Sequence, residues 1–191
     1  MNLTDNDKQF LLSLSRKALN HIFSTGAEIT VKEKAIPKKF REKQATFVTI
    51  TKKGKLRGCL GKLHPSQELY KDVIENTYSA AFADPRFPQL IKKELKHINI
   101  EISLLEPPKD LSYKTSDDLI KKLESEKPGV ILTNGPYTAT FLPQVWESIK
   151  SAEEFLSQLC LKAGLVPTTW KKNRTLIQTY SVVKFSESFY G

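Results

Sequence analysis

Apolar residues recur at three- and four-residue spacing near the start of the chain: Phe10, Leu11, Leu14, Ala18 and Ile22. That spacing predicts an amphipathic helix over residues 5–23. Thr4 stands at its N-cap, and Asp5 and Asp7 fall in the first turn, where negative charge complements the helix dipole. The pattern fades over residues 24–44, a lysine-rich stretch that reads as a basic loop. Thr46-Phe47-Val48-Thr49-Ile50 is β-branched and aromatic and predicts a strand. Lys52 to Lys55 is a turn, and Leu56 to Gly61 returns as the partner strand, with Gly58 and Gly61 inside it.

A second helix is predicted over about 67–82, capped by Ser66. Leu69, Tyr70, Val73, Ile74, Thr77, Tyr78, Ala80 and Ala81 share one half of its wheel, and Lys71, Asp72, Glu75, Asn76 and Ser79 the other. Pro85 pushes Asp84 out of helical geometry and ends it. Ile98, Ile100, Ile102 and Leu104 alternate with polar residues and predict a half-buried strand closed by Pro107-Pro108. Ser116 caps a short helix over 117–125. Val130 to Phe141 forms a hairpin about Asn134-Gly135, with Pro136 keeping one arm near a sheet edge. Ser151 and Glu154 make a capping box for a helix that buries Phe155, Leu156, Leu159, Cys160 and Ala163 and stops at Gly164. Residues 175–186 read as a final strand. Helices and hairpin-linked strands mix without strict alternation, which predicts an α+β fold with a mainly antiparallel sheet flanked by helices.

The length, 191 residues, suits one domain, and 39% apolar residues suffice for a core. No apolar run approaches the ~20 residues of a membrane span. The acidic N-terminus lacks the marks of a signal peptide. Cys59 and Cys160 lie in unlike contexts, so a disulfide framework is not indicated and a reducing, cytoplasmic setting is expected. No zinc-type spacing of Cys or His occurs, so no metal site is expected. Charge changes the picture more. The net charge is +9, and Lys32 to Lys62 holds eleven Lys or Arg against two acids, which accounts for the whole excess. Such a stretch is either a solvated face or a patch that gathers anionic ligands or nucleic acid.

The candidate chemistry centres on Leu56-Arg57-Gly58-Cys59-Leu60-Gly61. In an extended strand Arg57, Cys59 and Gly61 share one face, and Leu56, Gly58 and Leu60 the other, with Leu56 and Leu60 as core anchors. A guanidinium beside Cys59 would favour the thiolate, and the glycines would let a substrate approach. Cys59 is thus a candidate nucleophile, the alternative being a small buried cysteine. Glu75 and Asp84 are candidates for proton exchange, and Asn76 for contact with a neighbouring element or ligand. Arg57 and Arg86 are candidates for holding an anionic group, with Gly58 and Gly61 giving access. His64 and His97 have no spacing that places them at the thiol. Trp146, Trp170 and Cys160 read as packing residues. Aromatics are not interleaved with the basic stretch, which weakens a single-strand-binding reading.

These residues resemble the AMMECR-type domain family. The resemblance rests on the hexapeptide and continues through Glu75-Asn76, Ala80-Ala81, Asp84-Pro85-Arg86-Phe87, Phe141-Leu142-Pro143-Gln144-Val145 and Leu159-Cys160-Leu161-Lys162-Ala163-Gly164-Leu165, in order, over roughly 46–186. Leu60 stands where Ile is usual, and His64 where an acidic residue is common, which argues against His64 as a general base. The resemblance implies an α+β fold with a larger and a smaller lobe and a cleft near the hexapeptide. It implies no reaction or cofactor. It makes Memo-like and radical-SAM proteins thinkable partners. Three functions stand as expectations: an enzyme or ligand-binding domain centred on Cys59, a nucleic-acid-associated regulator using residues 32–62, and a protein-interaction module.

Overall fold

In the computed structural model, residues 2–172 and 174–187 are described. The helices are α1 (Asp5–Thr25), α2 (Leu69–Tyr78), α3 (Ser116–Glu126) and α4 (Ala152–Lys162). The strands are β1 (Ala45–Lys52), β2 (Lys55–Gly61), β3 (Ile98–Leu105), β4 (Lys109–Asp110), β5 (Gly129–Asn134), β6 (Tyr137–Phe141), β7 (Leu176–Tyr180) and β8 (Val182–Ser186). Among the described residues the strands form two four-stranded sheets, ordered β2-β1-β3-β8 and β4-β7-β5-β6. The fold is α+β. The chain divides into two compact units, Met1–Glu106 with Val183–Gly191, and Pro107–Val182.

In the first unit β1 pairs antiparallel with both β2 and β3. One face of this sheet buries Val48, Ile50, Ile100, Ile102 and Leu104 in a core shared with Leu11 and Leu19 of α1 and Leu69 and Val73 of α2. Thr4 and Asp7 close a reciprocal capping box on α1, and Gly26 ends it in the left-handed conformation (φ 77°). A buried hydroxyl pair, Ser15 with Thr77 at 2.7 Å, ties α1 to α2. Residues 24–44 carry more structure than a basic loop: short 3₁₀ turns at Glu33–Ala35 and Lys38–Arg41 drive Ile36 and Phe40 into the core, where Phe40 stacks on Phe10 with centroids 5.2 Å apart. Two large apolar side chains in an otherwise basic stretch suffice to anchor it.

The second helix starts later than expected. Glu68, not Ser66, is its N-cap, and no side chain caps it. It ends in a π-helical turn over Ser79–Ala83, a widened geometry common at functional or closely packed positions.

The second unit buries Trp146, Phe155, Leu156, Leu159, Cys160 and Trp170 in its own core, with Trp146 stacked on Phe155 at 4.0 Å. Thr115, one residue before the expected Ser116, caps α3. Ser151 caps α4. The β5–β6 turn centres on Gly135-Pro136, one residue later than expected: Asn134 faces Tyr137, and Gly135 takes φ 59°. A glycine at the first central position is what a type II′ hairpin requires. The segment read as one final strand is two, β7 and β8, which join different sheets. Among the described residues no helix is long and apolar enough to cross a membrane.

Candidate functional site

The β1–β2 hairpin turns on Lys53-Gly54, both at positive φ (51° and 75°), as a two-residue type I′ turn demands. Thr51 then faces Leu56, but Ile50 faces Gly58 and Thr49 faces Cys59. Arg57 is the extra residue of a β-bulge. The strict alternation expected along Leu56–Gly61 therefore breaks at Arg57. Leu56 is 44% exposed rather than a core anchor, and Gly58 is buried.

Downstream of the bulge the two backbone groups of Cys59 point away from β1, toward the free edge of β2. Its N–H donates to Asp84 Oδ2 at 2.8 Å, and its carbonyl accepts from Arg86 Nη2 at 3.2 Å. Asp84 and Arg86 are themselves bidentate: Arg86 Nε donates to Oδ1 at 2.9 Å and Nη2 to Oδ2 at 2.7 Å. The Arg86 amide also donates to Oδ1, at 3.1 Å, so Pro85 sits within a tight turn closed on Asp84. The ion pair thus occupies the place of a missing neighbouring strand and covers the sheet edge at one residue. Asp84 is buried, and Arg86 holds its carboxyl well below the usual carboxylate range, with the bond from the Cys59 amide adding to the effect.

Because Cys59 and Thr49 form a non-hydrogen-bonded pair, their side chains approach closely. Thr49 Oγ1 donates to Cys59 Sγ at 3.1 Å. Burial pushes the Cys59 thiol up; the Thr49 bond and the charge of Arg86 pull down but do not win. The expectation of an activated thiolate beside Arg57 is corrected on both points. The cation acting on the sulfur is Arg86, and burial outweighs it.

Arg57 is turned elsewhere. Its Nε and Nη2 donate to Glu94 at 3.2 and 2.9 Å, and Nη1 and Nη2 to the carbonyls of Pro88 and Gln89 at 2.7 and 3.2 Å. Glu94 is buried, accepts also from Lys52 Nζ at 2.8 Å, and is held down to about 2, Arg57 being the largest cause. The bulge that releases Arg57 from the ladder lets it clamp the segment after the Asp84–Arg86 turn.

The glycines are filled by the protein itself. A Cβ on Gly58 would lie 2.0 Å from the carbonyl oxygen of Ala80, within the π-helical turn, and one on Gly61 would lie 2.2 Å from that of Thr46. Their expected service as openings for a substrate is replaced by close backbone approach.

Asn76 meets a neighbouring element. Its Nδ2 donates to Thr46 O (3.1 Å), Thr46 Oγ1 (2.9 Å) and Asp72 Oδ2 (2.9 Å). Asp72, assigned by periodicity to the polar half of α2, is fully buried and accepts also from the Thr46 amide at 2.9 Å and hydroxyl at 2.7 Å. Burial raises its carboxyl despite these donors. Glu75 lies on the exposed side of α2, where Lys62 Nζ donates to it at 2.6 Å and Gln67 also binds it. Lys62 lowers its carboxyl. Among the described residues Arg57, Glu75, Asn76, His64 and His97 form no hydrogen bond with Cys59.

The sequence reading missed Thr46, Thr49, Asp72 and Glu94. Asp72 and Asn76 stand four apart on one helix, a spacing that lets them meet, but the wheel places both on the polar half and gives no sign that the pair is buried. Nothing in the local pattern marks Glu94.

A family model described as AMMECR1 matches residues 12–185. The chain belongs to the AMMECR1 family. It is 37% identical to protein MK0488 of Methanopyrus kandleri, over 97% of this chain and 90% of that one. It is 35% identical to a Pyrococcus furiosus protein, over 95% and 88% of the two chains. Its structure resembles the crystal structure of the uncharacterised protein PH0010 from Pyrococcus horikoshii, with a TM-score of 0.82, 32% identity, and coverage of 93% of this chain and 90% of that one.

In this AMMECR1 chain, the Asp-Pro-Arg-Phe turn satisfies the outward backbone groups of Cys59 and pairs its own two charges. Part of the basic stretch is likewise spent internally: Lys39 pairs with Asp7, Arg41 with Glu33, Lys52 and Arg57 with Glu94, and Lys62 with Glu75. Lys32, Lys34, Lys38, Lys43, Lys53 and Lys55 stand exposed. Among the described residues no group of three His, Cys, Asp or Glu is placed to hold a metal ion.

Proposed function

We propose that this protein is a ligand-binding domain that recognises an anionic group at the outer edge of β2, with Arg86 supplying the charge and Cys59 the adjoining contact. The observation that carries this reading is the posture of Arg86. Its Nε and Nη2 are fixed by Asp84 and the Cys59 carbonyl, its hydrogen bonds leave Nη1 over, and its side chain is 55% exposed. A guanidinium already oriented loses little freedom when it meets a carboxylate or phosphate.

The charge states of the other candidates favour binding over proton transfer. Asp84 and Glu75 are both held ionised by cations, and burial keeps Cys59 protonated. General acid–base catalysis wants a pKa near the working pH, and a cysteine nucleophile acts as its thiolate. No proton-transfer step is therefore assigned to these groups.

The test is a titration with inorganic phosphate, followed by NMR at the Cys59 amide and the Arg86 side-chain Nε–H. Saturable shifts at both are expected, and in Arg86→Lys the shift at the Cys59 amide should be lost while the rest of the spectrum keeps its dispersion. Silence at both signals up to millimolar phosphate would sink the reading.

A further inference from the structure

Away from the β2 edge, α1 and the segment 29–36 enclose a groove of about 400 Å³. That is within the range of small-ligand sites. Its apolar lining includes Phe10, Leu14, Ile29, Val31 and Ile36. The floor is preformed: Leu14 and Ile36 are buried, and Phe10 is stacked on the buried Phe40. The wall is fixed too, because the Ile29 amide donates to the Tyr78 hydroxyl at 2.7 Å, tying the segment to the end of α2.

Charge at this groove has one sign. Lys17 and Lys32 line it, and among the described residues no acidic one does. Both lysines are exposed, and among the described residues neither ammonium group makes a hydrogen bond or ion pair. A second concavity, on the other side of residues 29–31, is lined instead by Glu28, Glu75 and Lys71 and has no such bias. An apolar trough with two uncommitted cations complements a molecule with an apolar body and one anionic end.

We propose that this groove binds an amphiphilic carboxylate, its hydrocarbon laid against Phe10, Leu14, Val31 and Ile36 and its head between Lys17 and Lys32. The site is separate from Arg86 and stands or falls independently of it.

The probe is decanoate, kept below its micelle concentration and titrated calorimetrically into the full chain, with decanol as the uncharged analogue. Saturable binding with one site per chain is expected, with decanol weaker. Reversing both lysines (Lys17→Glu with Lys32→Glu) should weaken decanoate by roughly tenfold, about the sum of two exposed ion contacts, and leave decanol unchanged. Ala35→Trp, an exposed position lining the groove, should abolish both. Circular dichroism melts of these surface variants check that the fold is retained. The proposal is overturned if decanoate does not saturate, if charge reversal leaves its affinity unaltered, or if Ala35→Trp binds as the parent does.

Discussion

Thr49 donates its hydroxyl to the sulfur of Cys59 at 3.1 Å across the β1–β2 pair. A donor to sulfur stabilises the thiolate, yet burial keeps the thiol above its ordinary value. The rate of Cys59 alkylation by iodoacetamide, followed by peptide mass spectrometry, should therefore rise with pH through a midpoint above the free-thiol value of about 8.5. Thr49→Val should move that midpoint further up. A midpoint below 8.5 would restore the activated nucleophile that the sequence suggested, and one that drops in the variant would show that the Thr49 hydroxyl does not stabilise the thiolate.

Asp84 carries more of the edge than Arg86 does, because it is the buried partner of the two. Asp84→Asn keeps the size but loses the charge-assisted bonds to Arg86 and to the Cys59 amide. It should lower the unfolding free energy by about 2 kcal/mol in urea titrations. Hydrogen exchange at the Cys59 amide should accelerate by more than that at Val48. Arg86→Lys, at a half-exposed side chain, should cost less than about 1 kcal/mol. If the two variants prove equally destabilised, the assignment of the burden to Asp84 is wrong.

Gly58→Ala should be among the worst single-methyl additions in the chain. The new Cβ would meet the Ala80 carbonyl at 2.0 Å, and a backbone oxygen has no side-chain torsion by which to retreat. Overpacking of this kind costs roughly 1–3 kcal/mol and sometimes more. The denaturation midpoint of the variant measures it; stability within about 0.5 kcal/mol of the parent would mean that β2 and the π-helical turn do not pack as described.

The elements written in simple periodicity were legible: α1 with its Thr4 cap, the strands around Val48 and Ile100, and the helix behind Ser151. What was not legible has a common cause, in that one long-range contact overrides a local pattern. Counting back from the Lys53-Gly54 turn pairs Thr49 with Gly58; the bulge at Arg57 moves the partner to Cys59 and brings hydroxyl to sulfur. The helical wheel puts Asp72 in solvent, while Thr46 and Asn76 give it donors inside. Residues 175–186 are β-rich throughout, and nothing local marks Ser181 as the point where the chain leaves one sheet for the other. At the candidate site it was the pairing that the sequence did not show: Cys59, Asp84 and Arg86 come together, and Arg57 goes to Glu94.

That last pairing sets how stability responds to acid. Glu94 titrates near the ordinary value of 4.5 in the unfolded chain and at about 2 when folded, held by Arg57 and Lys52. Between those values the unfolded state binds the extra proton, so unfolding becomes easier as pH falls. The contribution is fully present above about pH 4.5 and is lost on the way down to about 2. Because Glu94 is buried, its share is on the order of 2 kcal/mol. Asp84, depressed in the same direction by Arg86, adds a second loss extending further into acid. Urea titrations from pH 6 to pH 3 should show stability falling in the parent and falling less steeply in Glu94→Gln, which starts lower and has one carboxylate fewer to protonate. Parallel pH profiles for the two proteins would show that the Arg57–Glu94 clamp contributes nothing to the acid response.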